Sequence, residues 1–137
     1  MKKILLMLGL VATFILPTSV NAETKSANSL YAVAFHADWC GSCQTLGANV
    51  VKARGKADLD NKDVLFVKLD LTNAATRHQS SLMASALGLG EFYKTNAGKT
   101  GFVLLVNAKN GEVVGKLTKD HDAGAIVTTI NEKIAAL

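Results

Sequence analysis

The chain of 137 residues holds two cysteines, Cys40 and Cys43, set three positions apart in the segment Trp39-Cys40-Gly41-Ser42-Cys43. A dithiol so spaced can close into a disulfide and reopen, carrying two electrons per cycle. The attacking sulfur must be a thiolate, because a thiol is a poor nucleophile. Metal binding is a competing use of the same atoms. A closed tetrahedral zinc site needs two further ligands, and neither a second cysteine pair nor a clear histidine pair supplies them, so no metal and no cofactor are expected in the redox reading. Copper(I) asks for less, since soft thiolates suit it. An inert staple is the third possibility, although a bridge closing so short a loop removes little entropy from the unfolded chain.

The elements around the pair favour redox chemistry. Leu30 to Phe35 is apolar throughout, as in a strand covered on both faces. After the cysteines, Leu46, Val50, Val51 and Ala57 recur at helical spacing, weakened by Gly47 and Gly55. Cys40 thus opens a helix that directly follows a strand, where free N–H groups and the helix dipole favour negative charge. This assigns Cys40 as nucleophile and Cys43, one turn further in, as the resolving thiol. His36, four residues before Cys40, could tune the thiolate or simply end the strand. Asp38 is a candidate base or a solvated loop acid, and Trp39 offers contact area to a substrate peptide or packs half-buried. His78 and His121 lie far from the motif.

Further along, Val64 to Leu69 reads as a second strand closed by Asp70-Leu71-Thr72, and Thr72 or Asn73 can cap the next helix. That helix would turn Leu82, Met83, Ala86 and Leu87 inward and stop at Gly88 or Gly90. The stretch from Glu91 to Thr100 lacks periodicity and reads as a loop. Phe102 to Val106 and Glu112 to Leu117 are strands joined through Asn110-Gly111, two residues that tolerate positive φ. Asp122 can cap a last helix with Ile126, Ile130 and Ile134 on one face, widened by Val127 and Leu137. The order strand, helix, strand, helix, hairpin, helix predicts an α/β fold, a small mixed sheet with helices on both faces.

Composition narrows the setting. Lys2 and Lys3, the 13-residue largely apolar stretch from Ile4 to Leu16, Pro17 and the small-residue ending Val20-Asn21-Ala22 have the order of a secretory signal. A spanning helix needs about 20 apolar residues. The expected organisation is therefore a signal peptide over 1–22 and one domain over 23–137, periplasmic or secreted and not membrane-spanning after cleavage. No cysteine stands at the end of the apolar stretch, which excludes lipid attachment there. Without Lys2 and Lys3 the formal net charge falls from +4 to +2. The cations are scattered among acids, so no basic stripe for nucleic acid exists.

The segment Ala37-Asp38-Trp39-Cys40-Gly41-Ser42-Cys43, in this element order, resembles the active-site segment of thioredoxin-fold proteins. It is most similar to the C-terminal periplasmic domain of DsbD-type disulfide reductases, which share Ala-Asp-Trp-Cys and an Asp-x-Thr segment, here Asp70-Leu71-Thr72. The resemblance implies a three-layer sandwich with a mixed four-stranded sheet and an exported thiol–disulfide oxidoreductase that reduces protein disulfides. Gly-Ser between the cysteines lacks the histidine of strongly oxidising relatives, in keeping with that direction. A reductant outside the cytoplasm also needs a membrane protein as electron donor. The alternative is a thioredoxin-fold binding module for copper(I) or a partner protein.

Three departures accompany the likeness. The family's cis-proline before the third strand is missing: the chain's one proline is Pro17, and Thr100-Gly101 occupy the corresponding place. A cis bond before a non-proline residue costs roughly 2.5–4 kcal/mol, so a trans or rearranged loop is expected. The stretch from Glu91 to Thr100 is longer than its counterpart, with Phe92 and Tyr93 either forming a partner-specific lip or covering the core edge. Ala34 stands where thioredoxins place a buried acid, leaving water, Asp38 or His36 as the base.

Overall fold

A computed structural model describes residues 28–137; the signal-peptide reading of residues 1–22 lies outside them. Along the chain run β1 (Leu30–His36), α1 (Gly41–Ala57), a 3-10 turn (Leu59–Asn61), β2 (Val64–Asp70), α2 (Ala74–Ala86), α3 (Gly90–Asn96), β3 (Phe102–Asn107), β4 (Val113–Thr118) and α4 (Ala123–Ala135). The four strands form one sheet in the order β2-β1-β3-β4. β1 pairs parallel with β2 and antiparallel with β3, and β3 pairs antiparallel with β4. Among the described residues no helix is long and apolar enough to cross a membrane.

The unbroken apolar character of β1 follows from its central place. Alternate side chains of a strand point to opposite faces. Leu30 and Ala32 join a core with Leu46 and Ala53 of α1 and Ile126 and Ile130 of α4, while Tyr31, Val33 and Phe35 join a second core with Ala84 of α2 and Tyr93 of α3. Three layers result, helices covering both faces of a mixed sheet, as expected. The Asn73 side chain accepts from Ala75 and Thr76 N–H at the head of α2, and Asp122 from Ala125 N–H at the head of α4.

Four details differ from the sequence reading. Glu91 to Thr100 is not a loop throughout, since Gly90–Asn96 forms the two-turn helix α3. Seven residues are too few for helical periodicity to show, and contact with the second core stabilises them. On α2, Leu82, Met83 and Ala86 face solvent, whereas Ser80 and Ala84 are buried. Small residues let the helix lie close to the sheet, and Ser80 Oγ donates to the Asp70 carbonyl at 2.9 Å. Val51 of α1 is also exposed, the inward line running through Cys43, Leu46 and Ala53. In the β3–β4 hairpin only Gly111 has positive φ, at 73°; Gly111 N–H donates to the Asn107 carbonyl at 2.8 Å, and the connection is longer than a two-residue turn.

Candidate functional site

Cys40 is the N-cap residue of α1, with extended backbone at φ −94° and ψ 105°. That geometry points its side chain back at the free N–H groups of the first turn: Cys43 N–H donates to Cys40 Sγ at 3.2 Å. Cys43 N–H and Gln44 N–H also donate to the Cys40 carbonyl, at 3.0 and 3.2 Å. No acid lies in this turn to oppose a thiolate. The two cysteines are joined by a disulfide with Cα atoms 5.2 Å apart. Cys40 is partly exposed, while Cys43 retains 4% exposure. The accessible sulfur is thus the one served by the helix terminus, and the hidden sulfur waits behind it.

The loop between β1 and α1 is held from outside. Asp38 N–H donates to Thr72 Oγ1 at 3.0 Å, and the Trp39 indole N–H donates to the Thr72 carbonyl at 3.3 Å. Thr72 N–H in turn donates to Asp70 Oδ1 at 2.9 Å. The Thr72 hydroxyl, then its N–H, holds the Asp70 carboxyl below the usual carboxylate range. Thr72 entered the sequence reading as a possible helix cap and as part of a family likeness; it also fixes the loop that carries Trp39. The signal for that role was an Asp-x-Thr at a strand end, but no local rule names the residues such a turn will grip. Gln44 Nε2 closes the loop further by donating to the Asp38 carbonyl at 3.0 Å. Trp39 is 64% exposed and keeps most of its ring in solvent.

Gly101 lies across from this turn. A Cβ built on it would stand 3.1 Å from Ser42 Cβ and 3.6 Å from Cys40 Sγ. Its φ is +91°, and its N–H donates to the Phe35 carbonyl at 3.0 Å. Both properties are closed to proline, which fixes φ near −65° and has no N–H. The described residues contain no cis peptide bond. Thr100, partly buried, immediately precedes it. Ser42, which sequence reasoning did not single out, forms the facing wall.

The Phe35 carbonyl also lies 3.7 Å from Cys43 Sγ. Beside Cys43 opens a cavity of about 290 Å³, walled by apolar groups including Ala34, Leu46, Val50 and Phe66, with His36, Arg54 and Lys68 also lining it. His36 Nε2 is 3.1 Å from Asp38 Oδ1. His78 is exposed on α2, and His121 Nδ1 accepts from Thr118 N–H at 3.2 Å, so neither belongs to the site. Phe92 packs on Phe35 with ring centroids 5.7 Å apart, and Tyr93 is buried with its hydroxyl donating to the Arg77 carbonyl at 2.9 Å. Both aromatics cover the core edge. Among the described residues no three His, Cys, Asp or Glu side chains converge as a metal site.

Comparison with known proteins places this arrangement. The thioredoxin family model matches residues 13–86, more than half of the chain. No curated protein matches. Among solved structures, the N21Q mutant thioredoxin from Halobacterium salinarum is 25% identical, with 78% of this chain and 76% of that chain covered and a TM-score of 0.47. Oxidised thioredoxin from Plasmodium falciparum is 18% identical, with 80% and 85% covered and a TM-score of 0.48. Mitochondrial thioredoxin 3 from Saccharomyces cerevisiae is 21% identical, with 82% of each chain covered and a TM-score of 0.42. The chain belongs to the thioredoxin family, and its Cys40–Cys43 pair supports thiol–disulfide oxidoreductase chemistry.

Proposed function

We propose that this protein is an exported reductant of protein disulfides, similar to the periplasmic domain of DsbD-type reductases and recharged by a membrane electron donor. The observation that carries the reading is the asymmetry of the two sulfurs. Cys40 caps α1 and receives a backbone N–H, whereas Cys43 is buried one turn behind it. In the reaction the Cys40 thiolate attacks a substrate disulfide, forming a mixed disulfide and releasing one substrate thiol. Cys43 then attacks Cys40 Sγ, which forms the Cys40–Cys43 disulfide and releases the second thiol. The substrate gains two electrons and the protein loses two, to be restored by the donor. Exposed Trp39 and the backbone of Gly101 flank Cys40 and offer a substrate peptide contact on either side.

The test is the reduction potential of the pair, with Cys43→Ser used to trap mixed disulfides. A potential near −270 mV with partners trapped on Cys40 supports a reductant, one near −120 mV makes the protein an oxidant, and one below about −300 mV with nothing trapped makes the bridge structural. Export is tested by sequencing the N-terminus of the expressed protein. A mature chain beginning at Glu23 in the periplasm or medium is expected, and an intact Met1 terminus in the cytoplasm overturns it.

A further inference from the structure

We propose that His36 is the proton acceptor for Cys43 in the resolving step, oriented by Asp38 and working through the cavity that adjoins both residues. The proposal rests on Cys40 and Cys43 acting as a working dithiol.

Cys43 must lose its proton before it can attack. Its surroundings oppose that, because burial among Ala34, Leu46 and other apolar groups disfavours the thiolate. The Phe35 carbonyl nearby can accept from a thiol and offers nothing to a thiolate. A base is needed within reach, and the lining of the cavity narrows the choice. Its titratable groups besides Cys43 are His36, Arg54 and Lys68. Arg54 and Lys68 carry donors and no acceptor, so neither can take the proton. His36 alone can take a proton there.

The geometry prepares it for the task. β1 alternates, and His36 lines the same cavity as Ala32 and Ala34, on the α1 side of the sheet. The Asp38 carboxylate can only accept, so it takes the Nε2–H of His36 and leaves Nδ1 as the bare nitrogen of the neutral ring. The other charges beside the ring come from β2. Asp70 is its register partner on β2 and Lys68 lies 3.8 Å from Asp70, whereas Arg54 of α1 lines the far part of the cavity, paired with Asp60 and set over the Phe66 ring. The Asp38 contact persists when the ring gains a proton, because a carboxylate accepts from either form of the imidazole. A cavity of about 290 Å³ has room for several waters, each filling roughly 30 Å³. The proton of Cys43 passes through that water to His36 Nδ1; the thiolate forms the Cys40–Cys43 bond as the bond from Cys40 to substrate breaks. The departing substrate thiolate takes a proton from solvent, and His36 later returns one to solvent.

The experiment preloads Cys40 with 5-thio-2-nitrobenzoate as a mixed disulfide and follows release of the coloured thiol by Cys43 across pH 5–9. In the wild type, release should rise with pH. His36→Gln should slow release at neutral pH by about 10²-fold, the lower range for loss of a general base, and change its pH profile. Asp38→Asn, on an exposed side chain, should give a smaller loss, and added imidazole should restore His36→Ala. A loss confined to the loading of Cys40, measured in Cys43→Ser with and without His36→Gln, would overturn the proposal. An unaltered pH profile in both His36→Gln and Asp38→Asn overturns the proposal. Wild-type protein that releases nothing at any pH overturns the dithiol reading instead.

Discussion

Gly101 shows how much one residue can control here. Its N–H holds the Phe35 carbonyl and its bare α-carbon lies against Ser42 and Cys40. An added methyl would meet both the tight contact to Ser42 and a φ of +91° that side-chain-bearing residues rarely adopt. Gly101→Ala should therefore lose about 1–3 kcal/mol of stability, the usual range for backbone strain, and slow the loading of Cys40. Gly101→Pro should be worse, because the bond to Phe35 is lost as well. Denaturant unfolding compared with thiol-exchange rates checks both variants; a fully stable Gly101→Pro would contradict this account. Phe35 is the partner residue from the other side. Fully buried, it stacks on Phe102 at 5.2 Å between centroids and packs on Phe92. Phe35→Ala should cost about 3–5 kcal/mol, as large-to-small changes of buried aromatics do, measurable as a lowered urea midpoint.

Among the elements, α2 is the one whose packing runs against its hydrophobic pattern. Ala84 is fully buried, while Leu82 and Met83 are exposed. Ala84→Leu should overpack the helix–sheet contact and cost about 1–3 kcal/mol. Leu82→Ala and Met83→Ala should stay within about 0.5 kcal/mol of wild type, as surface changes do. Thermal melts of the three variants decide the matter, and the reverse ranking would contradict this packing. The turn from β2 into α2 carries a pH dependence of its own. Donation from Thr72 lowers the folded-state pKa of Asp70, so the ionised carboxylate stabilises the fold above its unfolded value, about 4. That stability is lost as pH falls through the folded value. The gap between wild type and Asp70→Asn should thus be present at neutral pH and close in acid below about pH 4, as read by urea unfolding at each pH.

For the whole molecule, the sheet converts separate segments into one redox centre. β1 delivers His36 and the Phe35 carbonyl, α1 delivers both sulfurs, the turn after β2 grips Trp39, and the approach to β3 sets Gly101 against Cys40. Two cores, one on each face, anchor these pieces independently. Helices α1 and α4 share the core on the side of Cys43, and α2 and α3 share the other. The position of the dithiol at the end of a buried central strand, away from the exposed outer faces of the helices, gives it a rigid backing with one accessible sulfur.

Much of this was legible in the residues themselves. The dithiol spacing, its place between an apolar strand and a helix, the caps Asn73 and Asp122 and the inward line of Ile126 and Ile130 are local properties, set by covalent spacing and by the periods of strand and helix. The helix α3 was hidden because a two-turn segment has too short a pattern to read. The inward face of α2 was hidden because close packing selected Ser80 and Ala84 over the larger apolar side chains. Tertiary structure alone decided that Thr72 holds Trp39, that Gly101 touches the Cys40 turn and that His36 shares a cavity with Cys43. The first two contacts join residues distant along the chain, and the third depends on how α1 lies against the sheet; none is encoded by sequence spacing, so each exists only once the strands have paired.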